Sequence, residues 1–424
     1  MSRPSGEPGL ARRLSTFDAV VIGLGSMIGA GVFAAFAPAA HTAGSGLLVG
    51  LLLAAGVAYC NAVASAQLAA VYPTSGGTYV YGRERLGEWW GFMAGWGFVV
   101  GKTASCAAMA LTVAAYAVPH PAWAQRVTAA AVVALLAAVN YRGITRTAQL
   151  TRILVTATLL SLGVVVTVCL AGGNATPAHL GGLHGLLIGG PHGILQAAGL
   201  LFFAFAGYAR IATLGEEVRD PERTIPRAIP LALFLTVGVY LLVAVSTLLA
   251  VGPARLATSS APLAAAVRAT QWSGLTPVVR VGGTLASAGA LLALIAGIGR
   301  TSLAMARRRD LPAWLAAVHP RHRVPHHAEI ALTVVVATLV LTVDLRGVIG
   351  FSSFGVLVYY ALANASAFTQ PPAQRRWPRA LNVVGLAGCL LLAATLPVSS
   401  VVAGLAVFTI GLLGRATVLW RRGR

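Results

Sequence analysis

The sequence predicts an all-α polytopic membrane protein with 12 transmembrane helices, on three observations. The 424 residues are 57% hydrophobic and 10% charged, with a mean hydropathy of +0.79, whereas soluble globular chains carry about 25% charged residues. Apolar runs of about 20 residues, long enough to cross a bilayer as helices, recur along the whole length. Basic residues gather almost entirely on one side of those runs.

Taken in order, the runs fall at roughly 17–40, 45–70, 88–117, 122–139, 148–171, 193–214, 228–251, 277–300, 328–344, 347–368, 380–396 and 398–419. The first follows MSRPSGEPGLARRLST (1–16), a short polar and basic leader. The run behind it has full span length, so no cleavable signal peptide is expected. Spans two and three are joined by YPTSGGTYVYGRERLG (72–87), four and five by NYRGITRT (140–147), six and seven by GEEVRDPERTIPRAIP (215–230). Span eight runs into MARRRDLPAW (305–314). Loops on the other side are shorter or rich in Gly and Ala, the longest being 172–192 and 252–276.

The net charge of +20 is explained by this topology. Of the 31 basic side chains, 24 fall on the side of the N-terminus. Five, Arg126, Arg255, Arg268, Arg280 and Arg346, fall on the other, and Lys102 and Arg210 lie inside spans. The positive-inside rule then places both termini in the cytoplasm of a multi-pass protein of the plasma (inner) membrane. No nucleic-acid partner is needed to account for the charge. Cys60, Cys106, Cys169 and Cys389 sit in apolar stretches with no metal or disulfide spacing. The nine His residues lie in loops or at span ends with no zinc spacing. No nucleophile–base set and no phosphate-cradling loop occurs, so neither an enzyme nor a cofactor or metal site is expected.

Two spans are interrupted at their centres. In the first, GLGSMIGAGVF (23–33) holds four Gly in eleven residues, each costing about 1 kcal/mol relative to Ala inside a helix. In the sixth, Ala206-Gly207 falls midway. Broken helices in corresponding positions of two five-helix halves point to a transporter site at the midplane. Half-helix N-termini offer N–H donors to a carboxylate, and half-helix C-termini offer carbonyls to an ammonium. A zwitterionic α-amino acid presents both groups. For Gly25 and Gly29 alone, close packing through small residues is an equal reading.

Lys102 is the only lysine of the chain and lies about half-way along the third span. An intramembrane ionisable residue is costly and marks a functional site by default. Lys also loses its proton on burial far more readily than Arg. One reading makes Lys102 a stand-in for a bound cation or the carrier of a coupled proton; the other pairs it with a helix carbonyl end or lets it snorkel. Arg210 lies one turn past the span-six break, as a gate contact or a snorkelling cation. Glu216, Glu217, Arg219, Asp220 and Arg223 are candidates for gating pairs, although solvated loop pairs contribute little.

The segment FDAVVIGLGSMIGAGVF resembles the first span of the amino acid–polyamine–organocation (APC) transporters. Three further segments match in order: YPTSGGTYVY, FFAFAGYARIATLGEEVRDPERTIPRAI and GRTSLAMARRRDLPAWLAAVHP. The likeness is to a bacterial amino acid permease and covers nearly the whole chain. It implies a five-plus-five inverted repeat (LeuT-like) with two extra C-terminal helices. The corresponding divisions are a cytoplasmic tail at 1–16, a first repeat at 17–171, an outer loop at 172–192, a second repeat at 193–368, and spans eleven and twelve at 369–424.

The resemblance implies alternating access with substrate between spans one and six. Backbone N–H groups of Gly29, Ala30 and Gly31 fall where the carboxylate is held, and carbonyls of Met27, Ile28, Phe203 and Ala206 where the ammonium is held. Phe203 or Phe205 falls at the aromatic lid, and Gly207 completes the break. The chain departs from the pattern at Ala30, where many members carry Ser. It also has no Lys in the fifth span, about Thr158, where proton-coupled members often place one. The role of Lys102 is therefore not supplied by the family.

No Asp or Glu lies at mid-membrane; Asp18, Glu88, Glu329 and Asp344 sit at span ends. This favours neutral α-amino acids, moved by a proton-coupled symporter or an exchanger, with protons as a candidate coupling ion. Carbonyls and aromatic faces also hold cations. A cationic amino acid or polyamine carrier of the same fold is therefore the alternative. The lipid bilayer and a small amino acid are the only partners expected.

Overall fold

A chain in hydrocarbon must satisfy its own backbone groups, so apolar runs become helices. The computed structural model describes residues 14–73, 76–119, 121–142, 148–212 and 218–422. The first half contains α1 (Thr16–Met27), α2 (Ala30–Ala34), α3 (Phe36–Ala43), α4 (Leu47–Val71), α5 (Gly77–Leu86), α6 (Glu88–Ala117), α7 (Ala122–Tyr141) and α8 (Ala148–Ala171). After these come α9 (Gly182–Leu187), α10 (Gly190–Phe205), α11 (Ala209–Ala212), α12 (Pro221–Ala257) and α13 (Pro262–Arg268). The last part holds α14 (Thr276–Arg307), α15 (His326–Thr342), α16 (Leu345–Phe368), α17 (Arg379–Thr395) and α18 (Val398–Arg422). Among the described residues the extended pairing is one bridge, Leu14 to Val218.

The protein is an all-α polytopic membrane protein. Among the described residues nine helical segments are long and apolar enough to cross a bilayer, and a bent pair makes up to ten. The bent pair is Pro177–Leu187 with Gly190–Phe205, at 113°. α15 and α17 are shorter apolar helices of 17 residues each. The face from which α1 begins is called the near face below.

Local chemistry sets the ends. Ser15 and Asp18 form a reciprocal capping box that starts α1. Asp344 accepts from the Gly347 N–H at 2.9 Å and starts α16. Four segments read as loops carry helix: 72–87 holds α5, 172–192 holds α9, and the stretches 215–230 and 252–276 hold the start of α12 and α13. α12 begins at Pro221, inside the polar stretch 215–230, because Pro in the first turn gives up no hydrogen bond and presets φ. The far loop 252–276 holds α13, whose Leu263, Ala264 and Val267 are buried. α12 passes into that loop through a kink at Gly252, where φ is +69°.

α6 lies at the centre and packs most extensively on α16 and α14. The α6–α16 crossing is a small-residue contact: a Cβ on Gly355 would sit 2.8 Å from Gly101 Cα. Next to it the hydroxyls of Ser105 and Ser352 are 2.6 Å apart. At the near face the Asp310 side chain, 5% exposed, gathers three partners. Tyr79 donates to it at 2.7 Å, Arg83 at 3.1 Å, and Arg415 forms a direct ion pair with it. Arg83 also reaches Glu88 at 2.5 Å. α5, the turn after α14 and α18 are thereby tied together.

Candidate functional site

The first span breaks where the glycines predict. α1 ends at Met27, Ile28 has φ −81° and ψ 68°, and Gly29 has φ −126° and ψ −137°. The helix restarts at Ala30, so the break spans Ile28 and Gly29. The sixth span breaks after Phe205, where Ala206, Gly207 and Tyr208 form a turn before α11.

The two breaks pack against each other. A Cβ added at Gly207 would lie 2.2 Å from Ser26 O and 2.6 Å from Met27 N. One added at Gly31 would lie 2.5 Å from Ala204 Cα. The glycines thus serve close backbone approach between two interrupted helices as well as the break itself. At Gly31 and Gly207 close packing and the break are one feature, while Gly25 and Gly29 approach Val155 and Ala290.

Lys102 reaches this junction from α6. Its Nζ donates to Ala206 O at 2.9 Å. Tyr360 of α16 donates to the same oxygen at 3.4 Å. This bond is the pairing with a helix carbonyl end that one reading of Lys102 expects. Tyr360 also stacks on Tyr208, with ring centroids 4.9 Å apart, and meets Phe202 edge-on at 5.8 Å.

Tyr240 of α12 is the second donor at the junction. Its hydroxyl lies 2.6 Å from Met27 O and 2.9 Å from Ala204 O. One phenol proton is shared between the carbonyl ends of both broken helices. Sequence reasoning missed this residue, although a lone Tyr in LFLTVGVYLLVAV carries a buried polar tip that requires a partner. Tyr240→Phe leaves buried carbonyls short of a donor. The expected outcome is a loss of about 1–3 kcal/mol in stability and a clear fall in transport rate, read by thermal unfolding in detergent and by uptake into proteoliposomes.

Phe205 is fully buried against Tyr240, with centroids 5.2 Å apart, which makes it a packing residue. Phe203 keeps 7% of its surface exposed and is the better placed of the two for a lid. Met27, Ile28, Gly29, Ala30, Gly31, Phe203, Phe205, Ala206, Gly207 and Lys102 thus gather in one region.

Of the expected gating residues, Arg210 and Arg219 lie among the described residues. Glu216 and Glu217 lie outside them. Arg219 is exposed, and its N–H donates to Leu14 O at 2.9 Å. Arg210 is half-exposed, and its N–H donates to Gly207 O at 3.0 Å. The near-face ion pairs that the structure does show are Asp18 with Arg152 and the Asp310 group. In the sequence Asp310 looks like one solvated charge after three arginines. At the far face Tyr116 donates to Phe33 O at 3.0 Å and accepts from Leu263 N at 3.2 Å, tying α6, α2 and α13 together.

The amino acid permease family model matches residues 18–414. An uncharacterized transporter of Mycobacterium tuberculosis is 60% identical over 418 residues, covering 98% of this chain and 93% of the relative. The cationic amino acid transporter 7 (chloroplastic) of Arabidopsis thaliana is 28% identical, covering 86% of this chain and 66% of the relative. The branched-chain amino acid permease BcaP of Bacillus subtilis is 26% identical, covering 90% of this chain and 86% of the relative. Two interrupted helices packed break to break, in a chain matched by the family model over nearly all its length, lead to one conclusion: the protein belongs to the amino acid permease family of the APC superfamily and is a membrane transporter, not an enzyme.

Proposed function

We propose that this protein is a secondary active carrier of cationic amino acids, working by alternating access. The contact of Gly207 with the Ser26–Met27 backbone carries the reading, because it joins the two breaks where polar backbone is exposed inside the membrane. Substrate sits between the breaks. Backbone N–H groups of Gly29, Ala30 and Gly31 hold its carboxylate, and carbonyls about Met27, Ile28, Phe203 and Ala206 face its ammonium. Phe203 covers it. Residues 17–171 and 193–368 form the two repeats, α15 and α17 complete twelve spans, and both termini face the cytoplasm. Lys102 is the coupling residue in this account.

The substrate class revises the expectation of neutral amino acids. Relatives named as cationic amino acid transporters recur, in plants and mammals. Carbonyl ends and the rings of Phe202, Tyr208 and Tyr360 suit a cation without a carboxylate. The neutral reading keeps two specific supports: α2, α10, α14 and α16 carry no Asp or Glu, and one relative is named a branched-chain amino acid permease. Uptake of radiolabelled lysine into proteoliposomes, with and without a proton gradient, tests the proposal. Suppression by unlabelled arginine and not by leucine is expected. Leucine uptake that arginine leaves untouched would return the assignment to neutral substrates.

A further inference from the structure

Two of the four carbonyls assigned to the substrate's ammonium, those of Met27 and Ala206, are already occupied by the protein's own donors. A carbonyl oxygen has two lone pairs. Met27 O receives the Tyr240 hydroxyl at 2.6 Å and the Gly29 N–H at 2.8 Å. Ala206 O receives Lys102 Nζ at 2.9 Å and the Tyr360 hydroxyl at 3.4 Å. An ammonium that binds at either of these two oxygens finds no free lone pair there and must displace a donor.

The four donors differ in how easily they leave. The Gly29 N–H is part of the break. Tyr240 is clamped between two carbonyls, and Tyr360 is held by rings on two sides. Lys102 ends a flexible four-carbon stem with three rotatable donors. Its ammonium is also the chemical twin of the group that would replace it.

We infer that Lys102 is a tethered occupant of the substrate's ammonium position, filling the Ala206 carbonyl in the empty carrier and giving way when an amino acid or alkylammonium enters. This rests on the transporter reading for its substrate and on the observed hydrogen bonds for its geometry. Self-occupancy lowers apparent affinity by the fraction of carriers in which the carbonyl is free. It also spares the empty carrier an unmet helix end in the membrane. Lys102 is here a specificity-determining residue: what competes with it must be a primary ammonium.

The test is equilibrium binding of radiolabelled lysine to the purified full chain, as wild type, Lys102→Ala and Lys102→Met. Removing the tethered ammonium is expected to tighten binding about tenfold in both variants, the inverse of a free fraction near one-tenth. Unchanged or weaker binding in the variants would make Lys102 a structural helix cap and overturn the inference. Lys102→Met keeps the stem's volume, so it serves where Lys102→Ala fails to fold. The second readout is thermal stability with n-butylammonium, which matches the deleted side chain. It is expected to raise the melting temperature of Lys102→Ala and leave wild type unmoved. Should no form bind any amino acid while n-butylammonium still stabilises Lys102→Ala, the occupied carbonyl stands and the transporter reading fails. No stabilisation in that case overturns the inference as well.

Discussion

Replacing Gly207 by alanine is expected to abolish transport. The added methyl would lie 2.2 Å from Ser26 O, 2.4 Å from Ser26 C and 2.6 Å from Met27 N. All three are backbone atoms, so no rotamer change relieves the overlap. The two breaks would have to separate, which costs about 1–3 kcal/mol as overpacking in a tight core. The functional loss should exceed the loss of stability, because separation shifts the carbonyls and N–H groups that face each other across the junction. Uptake by reconstituted Gly207→Ala, beside its melting temperature in detergent, checks both parts. A variant that folds and transports at the wild-type rate would show that the breaks need not touch. Gly56, around which nothing lies within 4 Å, is the matched control, and Gly56→Ala should be harmless.

Neutralising Asp310 is expected to give the largest loss of stability. Its side chain is 5% exposed, as is that of its partner Arg415, and it also binds Arg83 and Tyr79. Asp310→Asn leaves Arg415 as a buried cation whose remaining acid, Glu88, is 3.5 Å away and largely exposed. Breaking a buried pair from one side costs about 3–5 kcal/mol. The rings of Trp89 and Phe92, 5.1 and 4.9 Å from the Arg415 guanidinium, offset part of this. The loss should therefore fall at the lower end, read as a drop in melting temperature. The pair of substitutions Asp310→Leu and Arg415→Met should recover most of it, since replacing both charges removes the desolvation cost.

Much of this was legible in the sequence, and the reasons are physical. Hydrocarbon length and the cost of unpaired backbone make apolar runs visible as helices. Gly29 and Gly31 announce the first break because helix interiors do not otherwise tolerate such a cluster. The lone Lys102 announces itself by its cost at membrane depth. What the sequence concealed depends on contacts between distant segments. Tyr240 is 213 residues from Met27, whose carbonyl it binds. Asp310 pairs with Arg83 and Arg415, so its burial is set by three separate elements. The helical start of α12 was masked by polar residues of its first turn, and α13 by the brevity of its apolar pattern. The sequence favoured neutral substrates over the cationic alternative for a related reason. Absence of a carboxylate speaks only to side chains, whereas the junction presents backbone carbonyls and rings.

The central claim is that the substrate lies between the two breaks, under Phe203. The most direct measurement is thiol labelling of a Phe203→Cys variant in which the four native cysteines, all buried, are replaced by alanine. Phe203 keeps 7% of its surface exposed, where Phe205 keeps none. For a variant that still transports, saturating substrate should slow labelling severalfold, and amino acids that are not transported should leave it unchanged. Equal labelling rates with and without a transported substrate would place the binding site elsewhere and contradict the account.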